Sequence, residues 1–293
     1  MSASSEVATP GLARHWTPVL RRIAQRRSVI LGYHGIGSAP AREDVFRLLV
    51  SPTQFELHLR LLSDAGFRFV TVAELAERLA DGPPPPGLAA ISFDDGMRDN
   101  HRTALPILKR FGIRATVYVV PGLLGGHSPW IAGGPAAEIL NQAEIRTLAD
   151  EGWEIGAHTM THPDMTRLDY DECLSEVRDS CEALERLTGQ KILTFAYPFG
   201  YYGPTALAAV RAAGLSAAVT IGSGSWSPLE LTRAMVSAGD PLALIILKLT
   251  DRYEPLVNSP ALGLARRASR QLRSAIANRR GPDDPHPPRP PAR

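Results

Sequence analysis

Two adjacent carboxylates, Asp94 and Asp95, end an apolar run that starts at Leu88, and Gly96 follows them. Residues 89–93 read as a buried strand, so the pair sits at a strand's C-terminal end, where α/β folds build their sites. Two anions so placed repel, and a cation or a proton must lie beside them. A second apolar run, residues 153–157, ends in His158-Thr-Met-Thr-His162. Imidazoles at i and i+4 can turn to one side, whether the segment is a helix or a tight loop. With one carboxylate they make three protein ligands and leave a catalytic ion an open position for water. The nitrogen and oxygen donors suit Zn2+ first, and Co2+, Ni2+ or Fe2+ after it. Such an ion brings the pKa of water from 15.7 to about 7. No glutamate lies between the histidines, so the base of the His-Glu-x-x-His metalloproteases is missing. One aspartate of the pair can then bind the ion and the other can take the proton.

These motifs need elements that bring strand ends together. Residues 28–33 read as a strand ending in His34-Gly35-Ile36-Gly37, and residues 38–50, without regular periodicity, as a loop beside the site. Ser51-Pro52-Thr53-Gln54 starts a helix with Ser as N-cap and Gln at the capping-box position, burying Phe55, Leu59 and Leu62. A strand at 67–72 and a helix at 73–79 follow, then a stiff connector with four prolines. Beyond the aspartates the pattern gives helix 100–110, strand 114–120, a glycine-rich loop over 121–134 and helix 136–151. Strand 153–157, helix 170–187, strand 193–197, helix 204–213 and strand 216–221 complete it. Seven or eight such units predict a parallel sheet closed, or nearly closed, into a TIM-like (β/α) barrel over residues 28–250.

The chain has 293 residues, 44% hydrophobic and 21% charged, enough for one such domain. Its net charge of +2 is unevenly spread: residues 1–27 carry +4, residues 263–293 carry +6, and the stretch between carries −8. An acidic body argues against a nucleic-acid partner. Basic ends suit an anionic membrane surface. Within 1–27, Leu12, Trp16, Val19, Leu20 and Ile23 form an apolar stripe that either closes the core or touches membrane. Residues 251–280 hold a basic amphipathic helix, with Ala261, Leu264, Ala268 and Leu272 opposite Arg266, Arg267, Arg270 and Arg273. It reads equally as a packed cap or an interfacial anchor. Residues 281–293, with six prolines, are expected to be disordered. No run is long and apolar enough for a membrane helix, and residues 1–27 lack the apolar core of a signal peptide. A cytoplasmic chain, peripheral at the inner membrane face, is expected. Cys173 and Cys181, about 12 Å apart on one helix, are too distant to bridge. No phosphate loop or dinucleotide fingerprint is present, and the sequence sets no oligomeric state.

Ser92-Phe93-Asp94-Asp95-Gly96, His158-x-x-x-His162 and Phe195-Ala196-Tyr197-Pro198-Phe199-Gly200, in this order and spacing, resemble the polysaccharide deacetylases, the NodB-like group of carbohydrate esterase family four. The likeness covers roughly residues 28–236. It implies a distorted barrel, Asp94 as base, Asp95, His158 and His162 as metal ligands, and hydrolysis of an N-acetyl group on an amino-sugar polymer or lipid-linked sugar. Tyr197, Pro198, Phe199 and Gly200 are then expected at the substrate, with backbone N–H groups beside Tyr197 and Phe199 as oxyanion donors. Three features depart from the commoner pattern. Ala196 stands where an arginine usually orients the base, the late segment with an acid histidine is missing, and Trp226 has no Asp nearby. The Tyr33-His34-Gly35-Ile36 opening and the Ala-Tyr-Pro-Phe-Gly form resemble the poly-N-acetylglucosamine deacetylase branch, in which the strand bearing the acid histidine comes first. That gives His34 the acid role, because an amide's leaving amine must be protonated, and offers Arg233 as the replacement partner of Asp94.

Two other readings compete. The same site can serve a non-carbohydrate amide, or the barrel can bind glycans while catalytically impaired. Trp130, Tyr201, Tyr202 and Trp226 are candidates to stack on sugar rings. His101 is a candidate to support the aspartates from the next helix, and His127 to touch substrate. His15, His58 and His286 read as surface or tail residues.

Overall fold

In a β-strand successive side chains point to opposite faces, and in this chain that alternation sorts two cores. The structure, a computed structural model, describes residues 10–79, 82–129, 131, 138–222, 225–250 and 252–257. Residues 1–250 form one compact unit and 251–293 a second. Its elements in chain order are helix α1 (Pro10–Ala24), strands β1 (Val29–Tyr33), β2 (Gly35–Ile36) and β3 (Leu49–Val50), helix α2 (Pro52–Asp64), β4 (Arg68–Val70), α3 (Val72–Ala76) and β5 (Leu88–Phe93). Then come α4 (Leu105–Phe111), β6 (Thr116–Val119), α5 (Gln142–Asp150), β7 (Glu154–Ala157), α6 (Tyr170–Thr188), β8 (Thr194–Ala196), α7 (Pro204–Ala212), β9 (Ala217–Ile221), β10 (Leu231–Met235) and α8 (Leu242–Lys248). Of the second unit, a short helix, α9 (Tyr253–Val257), is described. Residues 258–293, which hold the rest of the C-terminal amphipathic segment and the proline-rich segment read from the sequence, lie outside the described residues.

Seven parallel strands close a barrel in the order β1, β10, β9, β8, β7, β6, β5, with β5 paired back to β1. β4 is a wedge: it takes the edge of β5 at Leu88 to Ala90, and β6 takes the same edge from Ser92 onward. The fold is therefore a distorted (β/α) barrel. Outward-facing Leu31, Tyr33, Ile91, Phe93, Val117, Phe195 and Tyr197 pack against the helices in the larger core. Inward-facing Ile30, Ala90, Tyr118, Ala196, Ala217, Val219 and Leu231 form the smaller one. Val72, Leu75 and Leu79 join that inner cluster, so α3 plugs the barrel floor. Its first N–H groups are met from the strands: Val72 N–H donates to Thr116 Oγ1 at 2.9 Å and Ala73 N–H to Glu154 Oε2 at 2.8 Å.

Side-chain caps settle the starts of α2, α3 and α6. The Ser51 hydroxyl accepts the Gln54 N–H with Pro52 at the first turn, and Thr71 and Asp169 complete capping boxes with Glu74 and Glu172. Three expectations differ. The helix expected over 136–151 begins at Gln142, because Asn141 and Glu144 form a capping box there, while Glu138 and Ile139 bridge to His127 and Met97. The loop over 38–50 contains β3, paired with β2. The last barrel strand, β10, has no counterpart in the expected pattern, since Leu-Thr-Arg-Ala-Met lacks a β-branched run and carries a charge. In α1, Leu20, Ile23 and Ala24 are buried in the main core with Trp16 against it, so this part of the stripe serves the core; Val19 is exposed. Among the described residues no helix is long and apolar enough to cross a membrane.

Candidate active site

A parallel barrel brings every strand's C-terminal end to one mouth. The β1–β5 register pairs Tyr33 with Phe93, and Asp94 N–H donates to Tyr33 O at 2.9 Å, so His34 and Asp94 leave the wall side by side. Phe93 faces out and Asp94 in; continued alternation would aim Asp95 away from the mouth. The chain breaks the alternation there: Asp95 has φ 69° and Gly96 φ 67°. Asp tolerates the left-handed region better than most residues, which is why Asp-Asp-Gly can present both carboxylates together.

Arg233, on β10, is fully enclosed and grips Asp94 with both arms, Nη1 donating to Oδ1 at 2.6 Å and Nη2 to Oδ2 at 2.7 Å. Nη1 also donates to Ser92 Oγ at 3.2 Å, and the guanidinium carbon lies 5.4 Å from the Tyr118 ring centroid. Small residues make the room. A Cβ on Gly32 would stand 2.2 Å from Met235 Sδ, and one on Gly156 would stand 2.5 Å from the Tyr118 ring. Burial pushes the Asp94 carboxyl up, but the Arg233 charge, then His158 and the Arg233 hydrogen bonds, outweigh it and hold Asp94 below the usual carboxylate range.

Across the mouth, Asp95 Oδ1 lies 3.5 Å from His158 Nε2 and 3.4 Å from His162 Nε2, and ligand atoms of the three residues lie within 4.8 Å of one another. His158 Nδ1 donates to Ala196 O at 2.7 Å, which turns Nε2 toward Asp95. Burial would lower His158, yet Asp95 and Asp94 hold it above its ordinary value, whereas burial and His158 push His162 down to about 4. The donor set fits a divalent ion: a carboxylate and two imidazoles converge on one buried point, beside a second carboxylate, where positive charge is required.

His34 is half-buried, and its charge bears on Asp94, Asp95 and His162. Its backbone carbonyl accepts from Asn100 Nδ2 at 2.9 Å. In the third motif, Phe199 has φ 59° and packs edge-on to His162 with centroids 4.7 Å apart. Gly200 must be small, since a Cβ would stand 2.7 Å from Ile221 Cγ1. Tyr197 corrects an expectation. It faces outward and is fully buried, its hydroxyl donates to Leu229 O at 3.1 Å, and its N–H donates to Val219 O at 3.1 Å, so neither ring nor amide is left for substrate. Pro198 is buried beside it. Tyr202 stacks on Tyr197 and donates to Glu230, while Tyr201 and Trp226 are half-buried. Trp130 and His286 lie outside the described residues. His127 and His15 are exposed and His101 half-buried. His58 is buried against the Tyr33 hydroxyl, its Nδ1 3.2 Å away, contrary to the surface reading. Sequence reasoning missed Ser92 and Tyr118 as companions of Arg233, and Glu176, whose carboxylate binds the loop between His158 and His162.

A family model for polysaccharide deacetylases matches residues 81–218. YxkH of Bacillus subtilis (strain 168), whose name places it in the same family, is 30% identical over 215 residues, 72% of this chain and 71% of that protein. The poly-beta-1,6-N-acetyl-D-glucosamine N-deacetylase of Staphylococcus aureus (strain MSSA476) is 23% identical over 220 residues, 68% of this chain and 73% of that protein. Among solved structures, the Streptococcus pyogenes deacetylase PplD in complex with acetate is 26% identical with a TM-score of 0.66, covering 76% of this chain and 98% of its own. IcaB from Ammonifex degensii, 24% identical with a TM-score of 0.62 over 72% of this chain and 92% of its own, shares the fold.

Proposed function

The chain belongs to the polysaccharide deacetylase family, a group of carbohydrate N-deacetylases, and we propose from that premise that it is a metal-dependent hydrolase removing N-acetyl groups from an amino-sugar polymer or lipid-linked sugar. The observation that carries the reading is the convergence, at one barrel mouth, of the Asp94–Arg233 fork with Asp95, His158 and His162.

Asp95, His158 and His162 would hold the ion, Zn2+ by its donor preference, and a bound ion supplies Lewis acidity that makes hydroxide available near neutrality and polarises the acyl oxygen. Asp94 accepts a proton from the attacking water. Arg233 keeps that carboxylate ionised and fixes its plane, so its free lone pairs face the mouth. The Phe199 N–H, on the loop that packs against His162, is the backbone donor for the oxyanion. His34, beside Asp94 on the neighbouring strand, delivers a proton to the departing amine, without which the tetrahedral intermediate would collapse backwards.

A substrate panel tests this. Incubation with N-acetylglucosamine oligomers, a lipid-linked N-acetyl sugar and non-carbohydrate amides should release acetate from a sugar substrate and expose one amine per acetate. Release from the simple amides alone would move the assignment to the non-carbohydrate reading. A peripheral position at the inner membrane face is supported by the basic segments 1–27 and 263–293. It predicts co-flotation with anionic liposomes that weakens when residues 263–293 are removed, and equal flotation of both forms would contradict it.

A further inference from the structure

We propose that Glu176, on helix α6 and outside the ligand set, is a positioning residue that holds the loop between His158 and His162 and thereby sets how tightly the site binds its ion. This rests on the reading of Asp95, His158 and His162 as the ligands.

A helix would place residues at i and i+4 on one face, but this segment is not helical. It turns through two left-handed non-glycine residues, Thr159 at φ 63° and His162 at φ 65°. Such conformations persist only where the surroundings over-determine them. The turn directs two successive amides to one side, a concavity that attracts an anion. Glu176 fills it: Met160 N–H and Thr161 N–H both donate to Oε2, at 2.8 and 2.9 Å, and the Thr161 hydroxyl donates to Oε1 at 2.7 Å. From the opposite side the Gly122 N–H donates to Met160 O at 3.0 Å, and a Cβ at Gly122 would stand 2.5 Å from that oxygen. Within the loop, Thr159 Oγ1 accepts the His162 N–H at 2.9 Å.

The backbone between the two histidines is thus held on both sides. One side is another backbone group; the other is a single side chain. The rotation of α6 is fixed by Cys173, Val177, Ser180 and Leu184 on its buried face, which leaves Glu176 at the edge of that stripe. Glu172, one turn earlier, caps the helix's own start. The Glu176 carboxylate binds the backbone and the Thr161 hydroxyl of the loop. It acts on the peptides that decide where the His162 ring stands relative to His158 and Asp95, and groups that orient ligands commonly change metal affinity about 10- to 100-fold.

The test uses the full chain, with Zn2+ affinity measured by competition with a chromogenic chelator and the Co2+ form followed by its visible absorption. Glu176→Ala should weaken Zn2+ binding about 10- to 100-fold and alter the Co2+ band. Acetate release by this variant should fall at limiting Zn2+ and recover at saturating Zn2+. Glu176→Gln, whose amide oxygen still accepts both N–H groups, should recover most of the affinity. Should the alanine variant not fold, Glu176→Asp, one methylene too short to reach both amides, carries the same comparison. Wild-type Zn2+ affinity and an unaltered Co2+ band in the alanine variant, or in the aspartate variant that replaces it, would overturn the proposal. A wild-type chain that binds Zn2+ but releases no acetate would instead overturn the deacetylase reading, and the affinity comparison would still stand.

Discussion

The mouth and the floor of the barrel each enclose a carboxylate, and the two are held in opposite ways. At the mouth, Asp94 faces the two arms of a buried arginine. At the floor, Glu154 accepts from two hydroxyls, Thr116 and Thr194, and from the Ala73 N–H, with no cation in the set. Burial pushes both carboxyls upward; Arg233 reverses the effect on Asp94, whereas the neutral donors leave Glu154 above its ordinary value. Neutral donors hold the carboxylate at the floor, and an opposite charge is what keeps a buried carboxylate ionised and able to receive a proton.

Substitutions that remove charge but keep shape should separate the two regions most widely. Asp94→Asn is expected to lower acetate release by about 10²- to 10⁴-fold, the range for loss of a general base. Glu154→Gln should leave acetate release at the wild-type level and shift stability by less than about 1 kcal/mol in denaturant unfolding, since burial there opposes the charged form and an amide oxygen still accepts hydrogen bonds. A comparable activity loss at both positions would break the comparison.

Removing the cation asks the same question from the other partner. Arg233→Met leaves Asp94 buried without its counter-charge, and urea unfolding should show a loss of about 3–5 kcal/mol together with loss of acetate release. Arg233→Lys keeps a charge but not the fork and should fall between the two.

His58 extends the rule to a base in the helical layer. Burial lowers its pKa to about 4, a shift only partly opposed by the charge of Asp240. The unfolded chain binds that proton near 6.5, so between about 6.5 and 4 the unfolded state holds more protons and stability falls as pH falls. The loss should approach about 3 kcal/mol by pH 4, and His58→Gln should flatten the unfolding curve across that window.

What the sequence disclosed follows from periodicity. Asp94, Asp95, His158 and His162 end apolar runs, and a parallel barrel collects all such ends at one mouth, so their meeting is legible in the sequence. Strand parity also carried a warning about Tyr197. If His158 and Ala196 face inward, the next residue faces the helices, and the ring is lost to substrate. His58 was readable too, since 55, 58, 59 and 62 lie on one helical face. Strand β10 was hidden because its inward position is an arginine, whose burial makes sense only once Asp94 stands opposite. Glu176 was hidden because α6 carries several acidic residues, and nothing local separates the one turned toward a loop from those facing solvent.

The most direct test titrates Zn2+ or Co2+ into chelator-treated protein while ion binding and acetate release are followed together. One equivalent should bind, acetate release should rise in step with it, and Asp95→Ala should abolish both. Full acetate release from the chelated protein, or one equivalent bound with unchanged affinity by Asp95→Ala, would contradict the site described here.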